Sequence, residues 1–327
     1  MEIKRLSYKH KNNKVLYYIK NYIRLLIQSN YYQAKLSEKL KSIKSLSDDD
    51  IEKIAFRLNY YNKLKEPVEL TTEAIKLSDL KLIKGSKTYF FDLYEYSRFF
   101  NQNLKGHFLF GDITHIPKAP SLVKSRPILN NNDYSILLKW DKVRHFMYIK
   151  NDKRPFSLKK DMLVSRGKVH STQPHRVLFL EKYFGHPMCN IGKVNNNELN
   201  SKWKVNRMVI DEQLEYKFIL CLEGNDVASN LKWVMSSNSL AVMPKPKFET
   251  WFMEGLLIPD YHYVLINDDY SDLESKLNYY INNVDKAIEI IKNANEYVSQ
   301  FKNKQLEDLI SLSVLNKYFE KTNQYKK

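Results

Sequence analysis

Residues Leu222–Pro244, LEGNDVASNLKWVMSSNSLAVMP, place a small cluster of acids and amides where an apolar run ends. The run FILCL, residues 218–222, stops at Glu223-Gly224-Asn225-Asp226, and a segment of helical pattern leads to a second apolar run, SLAVMP. In an open α/β sheet, ligands bind beyond the carboxyl ends of the strands, so residues 223–229 stand where a binding turn belongs. A helix beginning near Ala228 would aim free N–H groups at that turn, an arrangement that attracts phosphate. Gly224 would allow a tight turn, and after Val227 the residues Ala228 and Ser229 are small enough for close approach. Lys232, one turn in, would reach the same anion. Glu223 and Asp226 would accept sugar or ribose hydroxyls beside the phosphate donors. Asp226 acting only as a helix cap fits the same residues.

The 327 residues suffice for two domains, and 43% hydrophobic with 13% aromatic content describes a folded chain. Two cysteines, Cys189 and Cys221, point to a reducing compartment and not to a disulfide framework. No run of about 18 apolar residues marks a membrane span, and the N-terminal MEIKRLSYKHKNNK lacks the apolar core of a signal peptide. A cytoplasmic protein is expected. The net charge of +16 admits a nucleic-acid partner, although a lysine-, asparagine- and isoleucine-rich composition produces the same excess with no such partner. Ten arginines stand against 43 lysines, seven of them between Arg98 and Arg207. The planar fork of arginine suits phosphate and carboxylate, so fixed anion contacts are expected there.

These residues need elements to hold them. Residues 1–66 read as helical: VLYYIKNYIRLLIQ spaces apolar side chains at i, i+3 and i+4, and SDDDIEK opens with a cap. The first of these helices would lie on an anionic membrane or pack on its own domain. From 77 to 155 alternation takes over, with strands expected at HFLFGDI, SILLKW and HFMYIK. The charged DKRPFSLKKD marks a boundary at 155. Beyond it, strands at LVSRGK, FILCLEG, SLAVMP and HYVLIN alternate with helices at HRVLFLEKYF, ASNLKWVMSS and FETWFMEGLL. A long helix then runs to the C-terminus. Strand–helix alternation predicts an α/β fold with a parallel sheet.

The segment EGNDVASNLKWVMSSNSLAVMPKPKFETWFMEG, with LVSRGK, KSRPILNNNDYSILLKWDKVRHF and FGDITHIPKAP upstream, resembles glycosyltransferase family 90, nearest its bacterial lipopolysaccharide core branch and related to the protein O-glucosyltransferases. The resemblance spans roughly residues 105–285. It implies a GT-B fold, with two Rossmann-like domains facing across a cleft: residues 1–155 on the acceptor side, 156–290 for the nucleotide-sugar, and 291–327 as a C-terminal helix returning to the first domain. It also implies inverting, metal-independent transfer of a hexose from a UDP-sugar to a lipopolysaccharide or lipooligosaccharide core, with capsule or protein acceptors as alternatives. No cofactor is expected. No DxD stands at a strand end; Asp48–Asp50 and Asp268-Asp269 read as helix-start acids.

The resemblance carries roles to individual residues. Arg166, Gly167, Lys168 and Arg176 match family positions at the donor diphosphate, Glu249 beside Trp251 matches an acid near the donor, and Asp112 matches the general base, with His115 in reserve. Lys124, Arg126 and Arg144 would hold an anionic acceptor. Asn230 stands where eukaryotic members carry arginine, which puts the donor contacts in doubt at that point. The enzyme would work as a peripheral protein at the cytoplasmic face of the inner membrane.

Overall fold

The computed structural model describes residues 9–325. The chain opens with α1 (Lys14–Leu25), α2 (Ser29–Lys41) and α3 (Asp48–Tyr61), then β1 (Ile75–Lys76), α4 (Lys87–Ser97), β2 (Lys105–Leu109), β3 (Ser121–Val123), β4 (Ser125–Pro127), β5 (Ser135–Leu137) and α5 (Lys142–His145). There follow β6 (Lys160–Gly167), α6 (Pro174–Tyr183), β7 (Cys189–Lys193), α7 (Ile210–Gln213), β8 (Tyr216–Leu220), α8 (Leu231–Val234) and β9 (Leu240–Met243). Last come β10 (Phe248–Thr250), β11 (Val264–Leu265), α9 (Leu273–Asn282), α10 (Val284–Ser299) and α11 (Lys304–Lys321). Two compact units result, one from residues 13–143, 247–255 and 301 onward, the other from residues up to 12, 144–246 and 256–300.

The second unit holds a five-stranded sheet, order β11-β9-β8-β6-β7, with every neighbouring pair parallel. Its central strands Tyr216–Leu220 and Leu240–Met243 are buried throughout, as strands covered on both faces must be. On one face Leu163, Ile191, Phe218 and Val242 pack under Phe179 of α6, Leu273 of α9 and Ile290 of α10. Each fully buried side chain of this kind contributes roughly 1.5–3 kcal/mol. Counted from β6, the strand order is 2-1-3-4-5, which reverses direction between β6 and β8. That reversal is a topological switch point, where a crevice opens beyond the strand ends.

The first unit carries the expected N-terminal helices. Ser47 caps α3 by accepting from the Asp50 amide at 3.3 Å, with Asp48–Asp50 in the first turn. Strands β2, β3 and β5 are parallel, β1 is antiparallel to β2, and α11 packs on α3 and α4. Tyr61 stacks on Trp251 with centroids 3.9 Å apart, and the Trp251 indole donates to Glu307 of α11 at 2.8 Å.

Four expected elements differ. Residues 145–150 form no strand after α5: the Ile149 amide is satisfied by Ser236 Oγ at 2.8 Å and the Phe146 carbonyl by Asn12 Nδ2 at 3.0 Å, so side chains replace a ladder. FETW is a strand and not a helix, because Glu249 lies opposite Arg126 in an antiparallel pair with β4. The C-terminal helix is three helices, broken at Asn283 (φ −119°) and restarted by Asn303, whose side chain caps α11. The helix expected from Ala228 begins at Leu231 and is four residues long.

Candidate functional site

The switch point between β6 and β8 is bridged by one side chain. Arg176, in the first turn of α6, donates from Nε to the Glu223 carbonyl at 2.7 Å and from Nη2 to the Leu222 carbonyl at 2.8 Å. Its Nη1 donates to the Lys168 carbonyl at 2.8 Å. The turn after β8 and the turn after β6 are therefore tied through one guanidinium. His175 Nε2 lies 2.8 Å from the same Glu223 carbonyl, and Gln173 Nε2 donates to Asn225 Oδ1 at 3.3 Å. Tyr270 Oη donates to the His175 carbonyl at 2.9 Å, which secures the start of α6 from the α9 side.

All three bonds from Arg176 go to neutral carbonyls, and none goes to a carboxylate. Burial pushes its guanidinium below the usual range, but arginine stays charged. Such a half-buried cation, with no anionic partner among the described residues, draws an anion to itself. Two glycines leave room for one. A Cβ at Gly167 would lie 3.5 Å from Arg176 Nη1, and a Cβ at Gly224 would lie 3.6 Å from Nη2. Neither glycine has a positive φ, so their value is space beside the guanidinium and not the turn conformation expected of Gly224. Lys168 is exposed at the mouth of the same turn.

The rest of the expected donor segment is arranged otherwise. Asp226, Val227 and Ala228 are buried, Glu223 and Gly224 are half-buried, and Asn225 and Ser229 are exposed. A four-residue helix carries little dipole, so the turn does not offer the strong helix start read from the sequence. Asp226 is not its cap either: that position belongs to Asn230, whose side chain donates to the Leu220 carbonyl at 2.9 Å. Lys232 is fully buried, its ammonium 5.3 Å from the Phe146 ring centroid. Arg166 lies across the sheet, with Nη1 donating to the Asn190 carbonyl at 2.7 Å, Nη2 to Asn190 Oδ1 at 2.7 Å and Nε to the Asn206 carbonyl at 3.0 Å. It lines an open polar pocket of about 330 Å³ with Lys160, Arg207, Glu212 and Tyr216.

In the first unit Asp112 follows Gly111 (φ 114°) in the loop after β2, and its carboxylate pairs with Lys124, which immediately follows β3. The Asp112 side chain keeps 35% of its surface and that of Lys124 keeps 3%. Both thus stand at the carboxyl ends of parallel strands, and His115 is exposed three residues on. Lys124, expected at an acceptor, is here the partner of Asp112. Arg126 and Glu249, expected at acceptor and donor respectively, are bonded to each other inside the unit at 2.8 Å. Arg126 further donates to the carbonyls of Ser135 at 2.9 Å and Tyr60 at 2.8 Å. Arg144 is exposed in the second unit.

A family model for glycosyl transferase family 90 matches residues 133–326. The "O-glucosyltransferase LpsA" of Dichelobacter nodosus is 43% identical over 263 residues, covering 80% of this chain and 81% of that protein. The chain belongs to glycosyltransferase family 90. It is a glycosyltransferase, and the parallel sheet is the part of the fold that its sequence foretold. The "Uncharacterized protein 179R" of invertebrate iridescent virus 6 is 30% identical over 105 residues, 30% of this chain and 9% of that protein. The matched segment of the family includes the Arg176 bridge and both glycines beside it; Asp112, His115, Lys124 and Arg126 precede it. Sequence reasoning passed over His175, Gln173 and Tyr270. The one signal, for His175 and Gln173, was their place at a helix start, and the partners of all three lie 48 or more residues away.

Proposed function

We propose that this family 90 enzyme moves a hexose, glucose or galactose, from a UDP-sugar to a lipopolysaccharide or lipooligosaccharide core, with inversion and without a metal. The observation that carries the reading is the acid-free Arg176 guanidinium at the switch point, flanked by Gly167 and Gly224. The activity in the name of the Dichelobacter nodosus relative, an O-glucosyltransferase, favours glucose.

In this mechanism Asp112 removes the proton of an acceptor hydroxyl as its oxygen attacks the anomeric carbon. The bond from that carbon to the diphosphate oxygen breaks, and the electron pair leaves with UDP. Arg176 and Lys168 stabilise the charge that accumulates on the departing diphosphate, the task that preorganised cations perform best. Attack opposite the leaving group inverts the anomeric configuration. The reading requires a GT-B organisation in which both units serve one pair of substrates. The test is UDP release from UDP-glucose and UDP-galactose with a truncated core oligosaccharide. Release only on addition of the core, with the product anomer opposite to the donor's, supports the reading; no acceptor-dependent release from either donor removes it.

A further inference from the structure

Helix α1 is fixed by one face and bare on the other. Tyr17 Oη donates to Asp92 at 2.8 Å, and Arg24 pairs with Glu95 at 2.6 Å, both acids lying on α4. The Tyr17, Tyr18 and Tyr22 rings all meet Phe91 edge-on. The opposite face carries Val15, Leu16, Ile19, Ile23, Leu26 and Ile27, each between 39 and 82% exposed. At 100° per residue these side chains, with Tyr22, fill one continuous arc that holds no polar residue. A buried helix would turn that arc inward; here the inward face is the one holding Arg24 and Asn21.

We propose that this ridge is a docking surface for an anionic lipid bilayer. Charge selects that occupant. Between residues 14 and 44 six lysines stand against a single acid, Glu38, the one arginine there, Arg24, being turned inward onto Glu95. Lys20 borders the apolar arc on one side, and Lys87 reaches the Tyr22 hydroxyl on the other at 3.3 Å. A second copy of this chain would bring the same cations against them, whereas anionic headgroups draw them in and the acyl region takes the ridge. The surface is also the exposed side of a single helix, which a bilayer accepts without a matching cleft. Among the described residues no helix is long and apolar enough to cross a membrane, so the contact lies in the plane of the surface. The attachment to α4 keeps the ridge in place before any lipid arrives. This docking does not depend on the transfer reaction.

The test is co-sedimentation of the full chain with vesicles of phosphatidylethanolamine and phosphatidylglycerol, and with neutral phosphatidylcholine vesicles. Wild type is expected to bind the anionic vesicles, more weakly at high salt. The triple variant Leu16→Asp, Ile23→Asp, Leu26→Asp is expected to bind at least about tenfold more weakly. All three positions are exposed, so its melting temperature and its turnover with a soluble, lipid-free acceptor should match wild type. Equal binding by the variant, or no binding by wild type, overturns the proposal. So does a wild-type dimer that the variant dissociates in the absence of vesicle binding, which would assign the ridge to a second copy. Vesicle binding as expected in a chain that releases no UDP keeps the docking surface and removes the UDP-sugar reading instead.

Discussion

The carboxylate of Glu249 meets the guanidinium of Arg126 at 2.8 Å across the β4–β10 pair, with side-chain exposures of 3 and 1%. The Tyr60 hydroxyl closes on the same carboxylate, and a Cβ at Gly255 would lie 2.7 Å from Glu249 Oε2. The site is closed around its own pair. Glu249→Gln should therefore lower stability, because removing one member of a buried ion pair strands the other at a cost of about 3–5 kcal/mol. Urea denaturation checks this. If Glu249 instead contacts the donor, the variant will keep its stability and raise KM for the UDP-sugar.

Asp112→Asn removes the proposed proton acceptor while keeping the shape of the side chain. Turnover should fall by about 10²–10⁴, with UDP affinity by calorimetry unchanged, since the residues proposed to hold the diphosphate, Arg176 and Lys168, belong to the other unit. Undiminished turnover would reassign the base, and His115→Ala would be the next variant to measure.

Asp92 gives the first unit a pH signature. Burial raises its carboxyl to about 6 from 3.8, against the pull of Lys142. A folded-state value above the unfolded one means stability that is complete below pH 3.8 and lost as the pH rises through about 6. The loss is about 3 kcal/mol. Asp92→Asn titrates no proton, so its stability relative to wild type should improve by that amount between pH 4 and 7. Glu95 beside it behaves oppositely: burial raises it, but Lys142 and Arg24 outweigh burial and hold it at about 2. Its contribution is complete above pH 4.5 and is lost as the pH falls from there through about 2, so it touches the Asp92 window only at the acid edge, below pH 4.5. A difference between variant and wild type that stays constant across this window would place the Asp92 charge in water.

How far the sequence could be read depended on the range of the interaction. Parallel strands announce themselves locally, since residues buried on both faces form unbroken apolar runs, and FILCL and SLAVM did so. The β10 strand did not: FETWFMEG has helix-like apolar spacing, and what makes it a strand is Arg126, 123 positions away. The break at Asn283 was equally hidden, because Asn-Asn inside a helical pattern is a weak stop signal. At the site, the acids and glycines of 223–226 stood out by type, but the atom that binds Arg176 is the Glu223 carbonyl and not its carboxylate. Backbone oxygens carry no sequence signature. Lys232, expected at an anion, lies buried against Phe146, a contact 86 positions away that its own neighbours do not announce.

Gly224 separates a structural from a functional role for that turn. Alanine there would place its Cβ 3.6 Å from Arg176 Nη2 and 3.7 Å from the Val227 carbonyl, ordinary contacts, at a residue whose φ is not positive. The folded state should accept the methyl, and the loss of glycine's freedom in the unfolded chain should stabilise it by about 0.4–1 kcal/mol. The methyl would also occupy the space through which, in the proposed reading, a diphosphate reaches the guanidinium. Gly224→Ala should thus melt at or above the wild-type temperature while binding UDP at least about tenfold more weakly, a loss of 1.4 kcal/mol. Arg176→Lys, by contrast, should lose both stability and UDP affinity, because one ammonium cannot replace three hydrogen bonds to three carbonyls. Calorimetric UDP titration beside thermal melts resolves the two variants. Wild-type UDP affinity in Gly224→Ala would mean that the diphosphate does not approach Arg176 from the side of this turn.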